Sequence, residues 1–150
     1  MSVGSAPHAV DLGVLRSRLV RRVVAAGEQG WDEARRSWNL AVDQGPAAVV
    51  FPESADEVAD VVSFAAANGF RIAFQGGGHN TGPIRWTESV ILLRTERMRA
   101  IAIDPRRRRA RVEAGVLSDE LTNAAAAHAL AYLAGTSPDV GVVGYAPAAA

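Results

Sequence analysis

Residues 46–75 read PAAVVFPESADEVADVVSFAAANGFRIAFQ, and this stretch decides the fold. The apolar run at 46–51 predicts a short buried strand, and 71–75 predicts a second one. Between them, Ser54 followed three residues later by Glu57 is a capping-box pattern that predicts the start of a helix. A strand, a helix and a strand in this order form a βαβ unit. We therefore expect two parallel strands joined by a right-handed crossover.

The second strand leads into the loop FQGGGHNTG at 74–82. Open α/β sheets bind ligands at the carboxyl ends of their strands, which is where this loop lies. Three consecutive glycines exceed the needs of a turn, and the N–H groups of such a loop can hold an anion such as a pyrophosphate. The loop is not GxGxxG, and no lysine follows the glycines as in a phosphate-loop hydrolase. The residues alone favour a phosphate-bearing cofactor of open identity over an ordinary polar turn.

The remaining patterns predict a flexible arm at 1–10 and several further elements. The strands predicted at 100–103 and 110–114 should form a hairpin, because Asp104-Pro105 between them is a typical turn start. The predicted elements are a helix from Asp11 to about Ala26, a short helix at 31–39, strands at 89–93, 100–103 and 110–114, a helix from Ser118 to about Ala129 and a short strand at 132–133.

Composition excludes several function classes. Lys+Arg and Asp+Glu both number 16, so no net charge favours nucleic acid or a membrane surface as a partner. The absence of cysteine excludes thiolate metal sites and a cysteine nucleophile. No apolar run is long enough to span a bilayer and no signal peptide is evident, so the expected location is cytoplasmic. Arg106 to Arg109 is best explained as a solvated turn, and Ser137 as part of a turn rather than a nucleophile.

Five stretches form a characteristic set when taken together in order: WDEARRSWN (31–39), PAAVV (46–50), SADEV (54–58), QGGGHN (75–80) and SPDVGVVGY (137–145). This set resembles the N-terminal FAD-binding part of the vanillyl-alcohol-oxidase/PCMH superfamily, above all the bacterial berberine-bridge-enzyme-like oxidoreductases. The resemblance implies an α+β, PCMH-type FAD-binding domain over 11–150, in which a small parallel βαβ subdomain precedes the start of a mainly antiparallel sheet. Family members continue for a few hundred residues, so it also implies a truncated domain and an absent substrate domain.

The resemblance further implies two cofactor-binding segments and one covalent link. FAD would bind through its pyrophosphate to the first segment, and His79 would be joined to the flavin 8α-methyl carbon. Ser137 matches the position of the cysteine in bicovalent members, which implies a single link, and Gln75 stands where many members carry arginine. The implied residues are Gln75, Gly76, Gly77, Gly78, His79, Asn80, Thr81 and Gly82 in the first segment, and Gly135, Thr136, Ser137, Val140, Gly141 and Gly144 in the second.

The implied function is hydride transfer from an alcohol or sugar-type substrate to covalently bound FAD. No residue of the chain suggests itself as a substrate base, so we expect the chain alone to be inactive. Its expected partners are a small-molecule substrate in a longer protein and, through an exposed domain face, further copies of itself. The alternative is a non-catalytic remnant or interaction module with weak or no nucleotide binding.

Overall fold

A computed structural model describes residues 11–19, 22–78 and 84–146. Its elements alternate between helices and strands up to the middle of the chain, and a hairpin and two helices follow. In chain order they are α1 Gly13–Arg18, β1 Val23–Ala25, α2 Trp31–Ala34, β2 Ala48–Val50, α3 Ala55–Asn68, β3 Arg71–Gln75, β4 Val90–Arg94, β5 Ile101–Asp104, β6 Arg109–Val112, α4 Ser118–Ala126 and α5 Val142–Tyr145.

The first four strands form one sheet in the order β1-β2-β4-β3. Strands β2 and β3 both run parallel to β4, which confirms the parallel arrangement expected of the βαβ unit. The sequence predicts β4 as a strand but does not place it, and the structure inserts it between the two strands of the unit. Its residues Val90 to Leu93 are all buried. Such a continuous apolar run is typical of a central parallel strand that is covered on both faces.

The helix α3 begins and ends where local chemistry predicts. The Ser54 hydroxyl accepts a hydrogen bond from the Glu57 N–H at 3.2 Å. At the other end, Gly69 has φ +72°, a left-handed conformation that glycine adopts without strain. Val61 and Ala65 face the sheet and pack with Ile91 of β4 in the main core cluster.

Replacing Ser54 with alanine should lower the free energy of unfolding by about 1 kcal/mol, because the N–H of Glu57 loses its acceptor. Urea unfolding followed by circular dichroism measures this change. Ser63→Ala is the matched control, since Ser63 is an exposed residue of the same helix, and its effect should be near zero or slightly stabilising. Equal stabilities of the two variants would contradict the assigned cap.

The predicted helix from Asp11 to Ala26 is wrong in its second half. Helix α1 ends at Arg18, and Val23 lies in β1, paired with Val50 of β2. Leu15, Leu19 and Val23 of the helical pattern are nevertheless buried in the same core cluster, and Leu12 is partly buried against it. The pattern therefore identified the buried side chains correctly. Residues 23–25 form a strand instead of a helix because they pair with β2 in the sheet, and a helical sequence pattern does not reveal this partner.

The second half of the chain packs α4 against the β5–β6 hairpin. The hairpin is confirmed, and Ile101, Ile103 and Val112 cover the cluster formed by Val116, Leu121 and Val142. Helix α4 begins at Ser118 as predicted, but its predicted end near Ala129 and the predicted strand at 132–133 are wrong. Helix α4 is capped at Leu117, whose N–H donates to the Glu120 carboxylate at 2.9 Å; it ends at Ala126, and residues 132–133 form no strand.

Candidate functional site

The three consecutive glycines lie directly after β3, at the carboxyl edge of the parallel sheet. Gln75 ends this strand, is buried, and pairs in register with Arg94 at the end of β4. Within residues 11–19, 22–78 and 84–146, no acceptor takes the N–H groups of Gly76, Gly77 and Gly78. Three neighbouring donors without protein acceptors are suited to an anion.

Gly78 cannot be replaced by a larger residue without strain. Its φ is +85°, and a Cβ built on it would lie 2.9 Å from Gln75 Nε2 and 3.2 Å from Trp38 N. Both its conformation and its close packing therefore require glycine. This closeness places the loop in direct contact with the side chain of Gln75 and the backbone of Trp38.

The side-chain amides of Gln44 and Gln75 form a buried pair next to the glycine loop. Gln44 Nε2 donates to Gln75 Oε1 at 2.9 Å, and both residues are almost fully buried. Gln75 Nε2 and Gln44 Oε1 have no hydrogen-bond partner among the described residues. A buried donor without an acceptor costs about 1–3 kcal/mol, so such a group marks a place where a ligand supplies the missing partner.

The second glycine-rich segment reaches the first through a short bridge to the start of α4. Ser118 N donates to Val140 O and Val142 N donates to Val116 O, both at 2.9 Å. These bonds hold Gly141 so that a Cβ there would lie 3.9 Å from Gly77 N. The structure thus brings together two segments that the sequence predicts to bind one cofactor from two sides.

Between the two segments lies a cleft of about 230 Å³. It contains residues from both halves of the chain, so it exists only when the sheet and the α4 region are assembled. Its lining residues are Trp38, Gly76, Gly77, Arg94, Glu96, Arg99, Gly115, Leu117, Asp139 and Gly141.

The charged groups of the cleft are largely paired with one another. Arg94 forms an ion pair with Glu96 at 2.6 Å, and Arg99 forms one with Glu120 at 2.6 Å. The N–H of Leu117, and then Arg99, lower the pKa of the Glu120 carboxyl below its ordinary value. Arg94 Nε is nevertheless a buried donor without a partner among the described residues, so it joins the backbone N–H groups as a donor for an anion.

Several predicted residues lie outside this cleft. Gly135 packs on the ring of Tyr145, where a Cβ would lie 3.1 Å from the ring, and Thr136 is exposed. The Ser137 hydroxyl donates to Asp139 Oδ1 at 2.5 Å, which fits the predicted turn. Gly144 is exposed within α5. The predicted residues His79, Asn80, Thr81 and Gly82 lie outside the described residues.

The sequence analysis does not predict Gln44, which lies next to the loop, or seven of the residues that line the cleft, namely Trp38, Arg94, Glu96, Arg99, Gly115, Leu117 and Asp139. Trp38 and Gln44 come from the segment before β2, Arg94 ends the inserted strand β4, and Gly115 precedes α4. Only the place of Gln75 and Arg94 as a register pair at the ends of β3 and β4 could have suggested one of them. This pairing of two residues can be known only once β4 is placed beside β3.

The described part of the chain shows neither a cluster of metal-binding side chains nor a membrane-spanning helix. No group of three or more His, Cys, Asp or Glu side chains there is arranged to hold a metal ion. Among the described helices, none has the length and apolar character to cross a membrane.

Comparisons with known proteins show the family of the chain. The family model of the FAD binding domain matches residues 46–150. The (R)-6-hydroxynicotine oxidase of Paenarthrobacter nicotinovorans is 34% identical over 124 residues, which are 83% of this chain and 27% of that protein. Glucooligosaccharide oxidase of Sarocladium strictum is 32% identical over 78 residues, 51% of this chain and 16% of that protein.

A solved structure gives the same result for the fold. A variant of BBE-like 1 from Physcomitrella patens matches with a TM-score of 0.78 at 26% identity, over 91% of this chain and 30% of that chain. This chain therefore spans less than a third of the length of the relatives that it matches.

Proposed function

Since this chain belongs to the FAD-binding domain family of FAD-linked oxidoreductases, we propose that it binds FAD in the cleft between its two glycine-rich segments. The observation that carries the proposal is a set of donors at one edge of the sheet that have no acceptor among the described residues. These are the N–H groups of Gly76, Gly77 and Gly78 and the buried Nε2 of Gln75. Together they fit a pyrophosphate, which offers several acceptor oxygens in a small volume.

Each part of the site would have its own task. The first segment, from Gln75 through Gly82, would hold the pyrophosphate, and the neutral amide of Gln75 would act as a hydrogen-bond donor in place of a charge. The second segment would close the site from the other side through Gly141, which lies beside Gly77. Bound FAD supplies the redox chemistry, and the chain supplies position and electrostatics.

We propose a single covalent link between His79 and the 8α carbon of the flavin. The support for it is the match of QGGGHN at 75–80 to the family motif. Ser137 cannot form a second, thioether link, and its hydroxyl is engaged with Asp139. An imidazole at the 8α carbon withdraws electron density from the flavin ring, which favours acceptance of hydride, and it prevents loss of the cofactor.

The substrate class is proposed from chemistry and from relatives. We propose oxidation of a small organic molecule at a carbon centre of the alcohol or sugar type, with a hydride leaving that carbon. One relative is named as an oxidase of glucooligosaccharide and another as an oxidase of 6-hydroxynicotine. The described cleft carboxylates are engaged, Glu96 with Arg94 and Asp139 with Ser137, so the chain alone would bind FAD without turnover.

The alternative function is an interaction module without nucleotide binding. It is favoured by an apolar trough of about 680 Å³ between the hairpin and α4, lined by Ile103, Leu121 and Leu130 among others. Such a surface could associate with another copy of the chain. Titration with FAD separates the two functions, because an interaction module would not bind it.

Titration of FAD with the purified chain should give saturable quenching of flavin fluorescence. Gly78→Ala should weaken this binding at least about tenfold, since the new methyl group would displace the Gln75 amide or the Trp38 backbone. Gly45→Ala is the matched control, because a Cβ there meets nothing within 4 Å. Absence of binding by the unmodified chain, or equal affinities of all three proteins, would overturn the proposal.

A further inference from the structure

Trp38 is one of the residues that line the cleft. It is 61% exposed, although tryptophan is a residue that proteins usually cover. Trp38 lines the cleft together with Gly76 and Gly77, and its backbone nitrogen lies next to Gly78. A large aromatic surface exposed at a concave site is typical of a ligand contact.

The segment that carries Trp38 is held from one side by Arg94. Its Nη1 donates to the carbonyls of Ala34 at 3.0 Å and Arg36 at 3.3 Å, which lie at the end of α2. Its guanidinium also lies 5.6 Å from the centre of the Phe51 ring, within cation–π range. Arg94 therefore fixes the chain just before Trp38, using donors that point in directions set by its planar group.

The same segment is held after Trp38 by the buried amide pair. Gln44 is bonded to Gln75 through its side chain, and its carbonyl accepts from Arg35 Nη1 at 2.9 Å. A local turn completes the arrangement, since the Ser37 hydroxyl donates to Asn39 O at 2.7 Å. Anchors on both sides thus hold the segment of Trp38 next to the glycine loop, so a ligand that binds there would order little additional chain.

We infer that Trp38 contacts a planar ring of the bound dinucleotide and that Arg94 is the positioning residue that holds it there. This inference rests on the proposed FAD site. If the N–H groups of the glycine loop bind the phosphates, the rings joined to those phosphates lie within reach of the neighbouring cleft walls. Trp38 is the aromatic side chain that lines this cleft among the described residues.

The affinities of Trp38 variants for FAD, measured by fluorescence quenching, test the contact. Trp38→Ala should weaken binding about tenfold, as is typical when an aromatic stacking partner of a base is removed. Trp38→Phe should restore most of the affinity because it keeps an aromatic face. Leu40→Ala is the matched control, since Leu40 is 76% exposed in the same segment and does not line the cleft. Competition by ADP or by FMN identifies the ring, since only the ligand that carries it should lose affinity.

A double-mutant cycle tests the positioning role of Arg94. Arg94→Lys keeps the charge but loses the planar donor geometry, so it should weaken FAD binding when Trp38 is present. It should have no further effect in the Trp38→Ala background, whereas a merely structural role would produce the same loss in both. Unchanged affinity in Trp38→Ala, with normal binding by the unmodified chain, would overturn this inference alone. Failure of the unmodified chain to bind FAD would overturn both proposals.

Discussion

Replacing His79 with alanine should abolish the yellow colour that remains with the protein after acid precipitation. A carbon–nitrogen bond between the imidazole and the flavin survives denaturation, whereas hydrogen bonds from the glycine loop do not. The measurement is the flavin absorbance of the washed precipitate from FAD-loaded protein. The expected change is complete, from one attached flavin per loaded site to none.

Two comparisons make this result specific for the linkage. His128→Ala should keep the colour, because His128 is an exposed residue beyond the end of α4 and does not line the cleft. Fluorescence titration of the His79 variant should still show reversible binding, since the unpaired donors of Gly76 to Gly78 remain. Acid-stable flavin in His79→Ala, or its absence from the unmodified loaded protein, would show that the linkage is assigned incorrectly.

Gly115→Ala should be the most destabilising glycine-to-alanine substitution among the described residues. A Cβ at this position would lie 2.0 Å from Thr95 O and 2.8 Å from Met98 O, far inside van der Waals contact. Backbone carbonyls cannot rotate away as a flexible side chain can. Overpacking of a core costs about 1–3 kcal/mol, and we expect a loss at or above the upper end of that range.

The position of Gly115 explains why the loss would spread to the cofactor site. Thr95 N donates to Gln75 O at 3.1 Å, and Thr95 Oγ1 donates to Ala114 O at 3.0 Å. This junction joins the end of the parallel sheet to the hairpin and α4, directly below the glycine loop. If the backbone moved to relieve the clash, the parallel sheet would separate from the hairpin and α4, and the cleft between them would be lost.

Urea unfolding of Gly115→Ala, with Gly45→Ala as the control, measures the effect. The control should be near neutral, because a Cβ at Gly45 meets nothing within 4 Å. If the two variants unfold at the same urea concentration, the close contact between Gly115 and Thr95 does not exist in solution.

The sequence predicted most reliably where the determining interactions are local. The cap at Ser54, the end of α3 at Gly69 and the hairpin turn after Asp104 each depend on residues a few positions apart. Errors appear where distant residues decide the conformation. Val23 continues a helical pattern, yet it forms a strand because Val50 lies beside it in the sheet.

The same division applies to the candidate site. The glycine loop and its place at a strand's carboxyl end follow from the order of patterns along the chain. The amide pair of Gln44 and Gln75 joins residues 31 positions apart, and no periodicity relates them. Arg94 reaches the loop only because β4 is inserted next to β3.

By itself, the sequence determined the elements of the βαβ unit, the glycine-rich segments and, through ordered motifs, the family. These features are encoded by neighbouring residues, since caps, turns and backbone freedom act over a few positions. Only the tertiary structure decided that Gly141 lies beside Gly77, that Gly115 must lack a side chain, and that Trp38 faces the cleft. Such contacts depend on strand order and on packing between the two halves of the chain, and these are set by the sum of many distant interactions.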